Sequence, residues 1–290
     1  MKDFFKYLTP NEEDKKWGFY LNVAGRAAIP AGSIYPSLEH PTGYYFTWKK
    51  GRVLDEYQLI YITEGQGILK INNESYDIRA GSILLIKPEL YHRYKPNKQT
   101  GWRENYIGFN GDLVRHFYEQ APFIKNTPII HIGIDSTLLD LYFKIFKLVQ
   151  EERPGFQQIT SGLILQVLGK IIAYHKQDEF SGKAIEAIIQ KALLYMRENV
   201  EQNIDLQKLA GEFHISYASF RKKFKKYTGM APRQYHIELK LLRAKELILT
   251  TDKPIQEISQ ELEFDSIHYF SRFFKKKLGY TPTELRKRVS

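Results

Sequence analysis

LQKLAGEFHISYASFRKKFKKYTGMAPRQY (residues 206–235) and IQEISQELEFDSIHYFSRFFKKKLGYTPTEL (residues 255–285) are two copies of one pattern. Leu206, Leu209 and Phe213 stand in the first copy where Ile255, Ile258 and Leu262 stand in the second. Phe220, Phe224, Gly229 and Pro232 recur fifty residues on as Phe270, Phe274, Gly279 and Pro282. The register changes by one residue in the turn. Aromatic, glycine and proline positions that repeat together mark a duplicated supersecondary unit. The 3–4 spacing of the apolar residues makes that unit helical.

Each copy has the pattern of a helix-turn-helix, over 206–227 and 255–277. In the first, 206–213 is a short helix, His214 and Ile215 form the turn, and the Ser216 hydroxyl caps the next helix by accepting an orphan backbone N–H. Phe220, Phe224 and Tyr227 share the inward face of that helix. In the second copy Pro254 suits the first helical position, Asp265 is the expected cap, and Phe270, Phe273, Phe274 and Leu278 face inward. The outward residues are the candidate DNA contacts: Tyr217, Ala218, Arg221, Lys222 and Lys225, then Ser266, Ile267, His268, Ser271, Arg272 and Lys275. A helix of this kind fits the major groove and reads base edges from its N-terminal turns. The plainer alternative is two helical hairpins with basic solvent faces.

Residues 233–249 read as one long helix joining the copies, about 25 Å at ~1.5 Å per residue. That length suits two reading helices about one duplex turn, ~34 Å, apart. Thr281-Pro282-Thr283-Glu284 is a capping box that opens a last short helix. Arg286, Lys287 and Arg288 at its end read as a phosphate contact or a solvated tail, and Lys223, Lys226 and Lys277 as further phosphate contacts.

Charge supports the same reading. The 290 residues carry 43 Lys+Arg against 33 Asp+Glu. Residues 181–290 hold 21 of the basic and 13 of the acidic groups, so most of the excess lies in the last third. A basic domain of this kind points to a polyanionic partner. With 43% hydrophobic residues the chain can bury a core. It has no cysteine, which removes disulfide scaffolds, thiolate metal sites and thiol catalysis. The N-terminus is acidic and lacks a secretory pattern, and no apolar run approaches ~18–20 residues, so a cytoplasmic protein without membrane contact is expected.

Residues 1–130 read as short strands punctuated by Gly and Pro: 57–63, a turn at Glu64-Gly65-Gln66-Gly67, then 68–71, 75–78, 82–86 and 91–94. This spacing suggests a small barrel or jelly roll. From 137 the period becomes helical. Leu138, Leu141, Tyr142, Ile145, Leu148 and Val149 form one stripe. Ile159, Leu163, Gln166, Val167, Lys170, Ile171 and Tyr174 form a second, with Ile164, Leu165, Leu168 and Ile172 off it. Polar residues 177–183 read as a linker. The expected organisation is a barrel (1–135), a helical region (136–176), the linker (177–183), and a DNA-binding domain (184–288). The fold class is thus two-domain α+β, a β-barrel with two helices followed by an all-α double helix-turn-helix.

On Leu209-Ala210, Ser216, Phe220, Phe224, Thr228-Gly229, Pro232, Tyr235, Ala244 and Leu247, and on Ile258, Phe264, Tyr269-Phe270-Ser271-Arg272, Phe274-Lys275, Gly279 and Pro282, residues 184–288 resemble the DNA-binding domain of the AraC/XylS family of bacterial transcription regulators. The sequence departs from that family at His214 and Glu263, where Gly is usual in each turn, at Lys240, where Arg is common, and at Ser259, where Ala is common. On 57–67, 81–88, His92 and 102–109 the N-terminal half resembles the cupin-like sensor of arabinose-type regulators. That resemblance implies a sugar-like effector in the barrel, held by Glu64, Tyr94, Glu104 and Tyr106. Trp102, Arg26 and Tyr44 are further aromatic or charged candidates without a motif. It also implies a homodimer through the 136–176 helices and contact with RNA polymerase. The eight histidines (40, 92, 116, 131, 175, 214, 236, 268) contain no H-x-H pair, and no nucleophile elbow or nucleotide-binding loop is present, so no metal, cofactor or enzymatic activity is expected. The rival readings are a ligand-independent regulator whose barrel only dimerises or docks a partner, and a cupin enzyme fused to a DNA-binding domain.

Overall fold

The computed structural model describes residues 3–36, 44–120, 126–178, 180 and 182–288. Met1 and Lys2 of the arm, His40, and Glu179 and Ser181 of the expected linker lie outside them. The described residues of the first half form eight strands: β1 (Phe4–Tyr7), β2 (Tyr20–Ile29), β3 (Tyr57–Ile71), β4 (Glu74–Arg79), β5 (Ser82–Ile86), β6 (His92–Pro96), β7 (Trp102–Asn110) and β8 (Ile129–His131). All pairings are antiparallel. One sheet runs β1-β2-β7-β3-β5-β8, and the far half of β3 carries β4 and β6 on its two sides.

β3 therefore belongs to both sheets, and the expected turn at 64–67 is not one. Gly65 (φ +79°) carries the bend inside a continuous strand, and a Cβ there would lie 2.1 Å from the Gly101 carbonyl oxygen. The strand bends without reversing because only glycine lets the two backbones approach so closely. Up to the bend the run is buried on both faces. Tyr57, Leu59 and Tyr61 enter one core, and Ile60 and Ile62 enter another. Ile83 and Leu85 alternate with Leu84 and Ile86 on β5 in the same way.

The first core is closed by helices. After the short helix α1 (Glu12–Lys16) and α2 (Asp112–Gln120), α3 (Ser136–Glu151) lays Leu138, Leu141, Tyr142, Ile145, Phe146 and Val149 onto the sheet. α4 (Phe156–Asp178) follows. Its buried side keeps Val167 and Ile171 of the expected stripe and adds Ile164 and Leu168 from off it, whereas the stripe's ends, Ile159 and Tyr174, are 56% and 37% exposed. Buried polar residues set the rotation. Gln157 accepts from Leu21 N at 2.9 Å and donates to Leu21 O at 3.1 Å, and the Ser161 hydroxyl donates to Phe19 O at 2.6 Å. They satisfy backbone groups at and just before the start of β2, beside its bulge between Leu21 and Val23.

The chain divides into two compact units, Met1–His175 and Lys176–Ser290. The described part of the second is helical: α5 (Ala184–Glu198), α6 (Leu206–Glu212), α7 (Tyr217–Thr228), α8 (Pro232–Thr250), α9 (Ile255–Glu261), α10 (Ile267–Leu278) and α11 (Pro282–Lys287). It has two cores. Ile189, Met196, Leu209, Phe220 and Phe224 build one, and Leu241, Leu247, Ile258, Phe270, Phe274 and Leu285 the other. α8 serves both, with Tyr235 and Leu239 against the first and Leu241, Ala244, Leu247 and Ile248 in the second.

Candidate functional site

In each helix-turn-helix the second helix starts on a serine. Ser216 accepts from Ser219 N at 3.3 Å and Ser266 from Tyr269 N at 3.1 Å. Ser266 thus takes the capping role expected of Asp265, because its extended backbone (φ −163°) aims the hydroxyl at the amide three residues on. Pro254 likewise sits one place earlier than expected, as the cap before Ile255. Both turns keep the left-handed backbone without glycine, at His214 (φ 55°) and Glu263 (φ 47°), which costs roughly 1 kcal/mol per position.

Phe220 and Phe224 of α7, and Phe270 and Phe274 of α10, are fully buried. The opposite faces are open. Ala218, Arg221, Lys222 and Lys225 are exposed, with Tyr217 half-buried at the start of α7. Ser266, His268, Arg272 and Lys275 are exposed, with Ile267 and Ser271 half-buried. Among the described residues none of Arg221, Lys222, Lys225, Arg272 and Lys275 lies within ion-pair distance of a carboxylate. Tyr217 and Arg221 share a groove of about 470 Å³ with Phe273 and Lys277, so the two helices open on a common depression floored by α8. Lys277 is ion-paired with Glu238 of α8. Arg286 is not a tail contact: it donates to Lys253 O at 2.6 Å and Thr251 O at 3.4 Å, where the chain leaves α8 and has carbonyls to satisfy.

The N-terminal unit holds a second candidate site between its sheets. Tyr7, Tyr35, Tyr44, Phe46, Tyr94 and Tyr106 surround Arg52, Gln58 and Glu104. The space among them is about 20 Å³, room for roughly one water molecule. Arg52 occupies the centre. It donates to Tyr94 Oη at 2.6 Å, Tyr44 O at 2.7 Å, Gln58 Oε1 at 3.1 Å and His92 Nε2 at 3.2 Å, and its guanidinium lies 4.9 Å from the centroid of the Phe46 ring. His92 must then be the Nδ1–H tautomer, donating to Leu90 O at 2.8 Å. Burial, and after it the Arg52 charge, push the His92 imidazole down to about 3. Tyr35 donates to Glu104 at 3.0 Å, and burial pushes the Glu104 carboxyl up to about 7, against that hydrogen bond and the Arg52 charge. Glu56, also buried, accepts from Tyr44 at 2.9 Å and Gln58 at 3.0 Å, and burial raises it too.

Of the four effector candidates, Tyr94, Glu104 and Tyr106 meet here and Glu64 does not. A bulge between Ile62 and Glu64 breaks the strand's alternation. The Glu64 side chain lies outside, 66% exposed and paired with Arg103 at 3.2 Å, in a groove of about 330 Å³ that also holds Arg26. Tyr44 lines the cavity, whereas Trp102 packs edge-on to Tyr35 at 5.3 Å behind it. Arg52, Gln58, Tyr35, Phe46 and Tyr7 were not indicated by the sequence. Arg52 sits in a loop outside the strands, held to β6 by an isolated bridge to His92 and by side-chain bonds, so neither period nor motif marks it. No cluster of three His, Asp or Glu suited to a metal occurs among the described residues.

Residues 32–168 match the family of AraC-like ligand binding domains, and residues 209–288 match a family of helix-turn-helix domains. The chain is similar to the MmsAB operon regulatory protein of Pseudomonas aeruginosa, with 27% identity over 91% of this chain and 90% of that one. It is similar to the arabinose operon regulatory protein of Escherichia coli K12, with 25% identity over 91% and 88%. It is also similar to the lactose operon transcription activator of Staphylococcus xylosus, with 24% identity over 86% and 88%.

Proposed function

We propose that this chain, which belongs to the AraC/XylS family of transcription regulators, reads double-stranded DNA with α7 and α10 in two successive major-groove segments, under the control of a sugar or sugar derivative taken up by its N-terminal cavity. It is a DNA-binding regulator with a ligand-binding domain, as its relatives are operon regulators. The observation that carries the reading is the pair of serine-capped helices with their aromatic faces buried and, on their open faces, five cations without an ion pair among the described residues. Arg221 and Arg272 are assigned to base edges, Lys222 and Lys225 to phosphates. Arg52, Glu104 and the ring of tyrosines are assigned to the effector, since charged anchors among aromatic faces suit a polyol.

The named relatives of two sugar operons, arabinose and lactose, support a sugar effector. Homodimerisation through α3 and α4 belongs to the same reading. It is supported by the exposed Ile159 and Tyr174 on the outer side of α4, and the mass in solution checks it. Contact with RNA polymerase rests on the family resemblance. No helix among the described residues is long and apolar enough to cross a membrane, consistent with a cytoplasmic site of action.

Two measurements test this. Selection of duplexes from a random library should return one sequence class for the wild type. Arg272→Ala and Arg221→Ala should lose discrimination at the bases they read, about 1–3 kcal/mol each. Lys222→Ala and Lys225→Ala should weaken binding to every sequence and flatten the salt dependence by about one unit of slope each. An unchanged preference in Arg272→Ala removes it as a base reader. Thermal shift against mono- and oligosaccharides should single out one sugar, and Arg52→Ala should abolish the shift. A ligand-independent regulator is the second reading, favoured by a cavity of only about 20 Å³. No shift with any compound supports that reading.

A further inference from the structure

Two departures from the family's usual residues, Lys240 and Glu263, meet in space. Lys240 lies in the middle of α8, 3% exposed, where the helix passes from one hydrophobic core of the second unit to the other. Its ammonium donates to Leu262 O at 2.8 Å, at the end of α9, and to Asn203 Oδ1 at 2.8 Å, in the loop before α6. The next residue, Glu263, closes the loop from the other side. Its carboxylate accepts from Asn203 N at 2.5 Å and its carbonyl from Asn203 Nδ2 at 3.1 Å. One helical turn before Lys240, His236 Nε2 donates to Gln202 O at 2.9 Å. The entry to the first helix-turn-helix, the joining helix and the turn of the second are thereby tied at one point. His214, at the equivalent turn of the first copy, is exposed and has no side-chain partner among the described residues.

We infer that Lys240, Asn203 and Glu263 form a clamp that fixes the spacing and angle between α7 and α10, so that the two reading helices meet a duplex as one rigid body. The two cores share no residue, so besides the clamp the angle is set by the packing of α8 and by its polar ties, His236 to Gln202, Arg243 to Glu201 and Glu238 to Lys277. Apolar contacts are non-directional, whereas a buried ammonium held by two oxygens accepts one geometry. The groove of about 420 Å³ above the clamp is bordered by Tyr217, where α7 starts, and by Tyr269, in the first turn of α10. The clamp therefore lies beneath the ends of both helices that enter the grooves first. Glu263 earns its place in a turn where glycine is usual by supplying a carboxylate acceptor to Asn203 N, which glycine lacks. These are positioning residues, and the inference rests on the two-helix reading proposed above.

The test uses the full chain and a duplex selected by it from a random library. Two derived duplexes have one half-site scrambled, and two more have the spacer changed by one or two base pairs. For a rigid pair the second contact forms at high effective concentration, and loosening the link lowers that concentration. Lys240→Met and Glu263→Gly should each lower the ratio of full-site to half-site affinity by about tenfold and tolerate the altered spacers better, with half-site affinity unchanged. Lys240→Arg, which keeps the donors, should stay near wild type. Glu263→Gly relieves the left-handed backbone while removing from the clamp only the carboxylate's bond to Asn203 N, so its melting temperature should not fall, which separates positioning from loss of fold. The clamp is overturned if both variants keep the wild-type ratio and spacer dependence, or if half-site affinity drops as much as full-site affinity. If the wild type selects no bipartite site, the two-helix reading falls and the clamp with it.

Discussion

Glu104 carries a carboxyl group that water would ionise well below neutrality, yet it is 4% exposed between the sheets. Its folded value of about 7 against an ordinary 4.5 has a consequence for stability. Between those values the folded chain keeps a proton that the unfolded chain has shed, so this group makes stability fall as pH rises from about 4.5 to about 7, and adds no further change above. The size is on the order of 3 kcal/mol. His92 works in the opposite direction: the unfolded imidazole takes a proton below about 6.5 that the folded one refuses until about 3, so stability falls as pH drops through that window. Glu104→Gln removes the first effect alone. Its stability relative to wild type should rise between pH ~5 and ~7 and level off above, measured by denaturant melts at fixed ionic strength. A difference that stays flat over that range would mean that Glu104 is already ionised in the fold. The sequence pointed to this residue, and to Tyr94 and Tyr106, because they lie on strands whose register a family pattern can carry. Arg52 was illegible because its place depends on a loop closing over His92 from 40 residues away.

At the scale of the element, β3 and α4 show where local pattern misleads. Two glycines in four residues, behind Glu64, read as a turn, and the structure uses them to bend a 15-residue strand from one sheet into the next. The chemistry was legible, since glycine was needed there. The topology was not, because whether a strand reverses or bends depends on what its two halves pair with. Gly65→Ala should cost upwards of about 3 kcal/mol, since a positive φ and a Cβ 2.1 Å from a carbonyl oxygen are penalised together. Gly133→Ala is the control. Its φ is also positive, 75°, but the space around it is open, so only about 1 kcal/mol is expected. Equal losses in urea melts of the two variants would show that backbone strain, not the crossing of Gly101, is what Gly65 relieves. For α4 the apolar period pointed to a face led by Ile159, and the buried face is led by Gln157 and Ser161 instead. Hydrophobic periodicity cannot see a polar side chain whose partner is the backbone of a distant strand. The helix-turn-helix copies suffered no such error, because their helices bury aromatic residues against cores made within the same hundred residues.

At the scale of the whole molecule, regulation requires that the effector cavity and the DNA-reading helices share a free energy, although they lie in separate compact units. Linkage makes this a sharp expectation without knowledge of the path. If the effector changes DNA affinity by a factor, saturating DNA must change effector affinity by the same factor, and couplings of about 1–3 kcal/mol, five- to 150-fold, are usual. The cavity sharpens it further. A site of about 20 Å³ must open before it admits a sugar, and if the closed arrangement dominates the free chain, effector affinity is reduced by the fraction that is open. Whatever stabilises the open state, DNA included, then raises apparent effector affinity, and whatever stabilises the closed state lowers it. Calorimetric titration of the sugar singled out by thermal shift, with and without saturating selected duplex, should give two dissociation constants whose ratio equals the ratio of DNA dissociation constants with and without the sugar. Equality with a ratio away from one establishes the barrel as the switch. A ratio of one in both directions, with the sugar still bound, would leave the cavity a binding site that regulates nothing and return the chain to the ligand-independent reading.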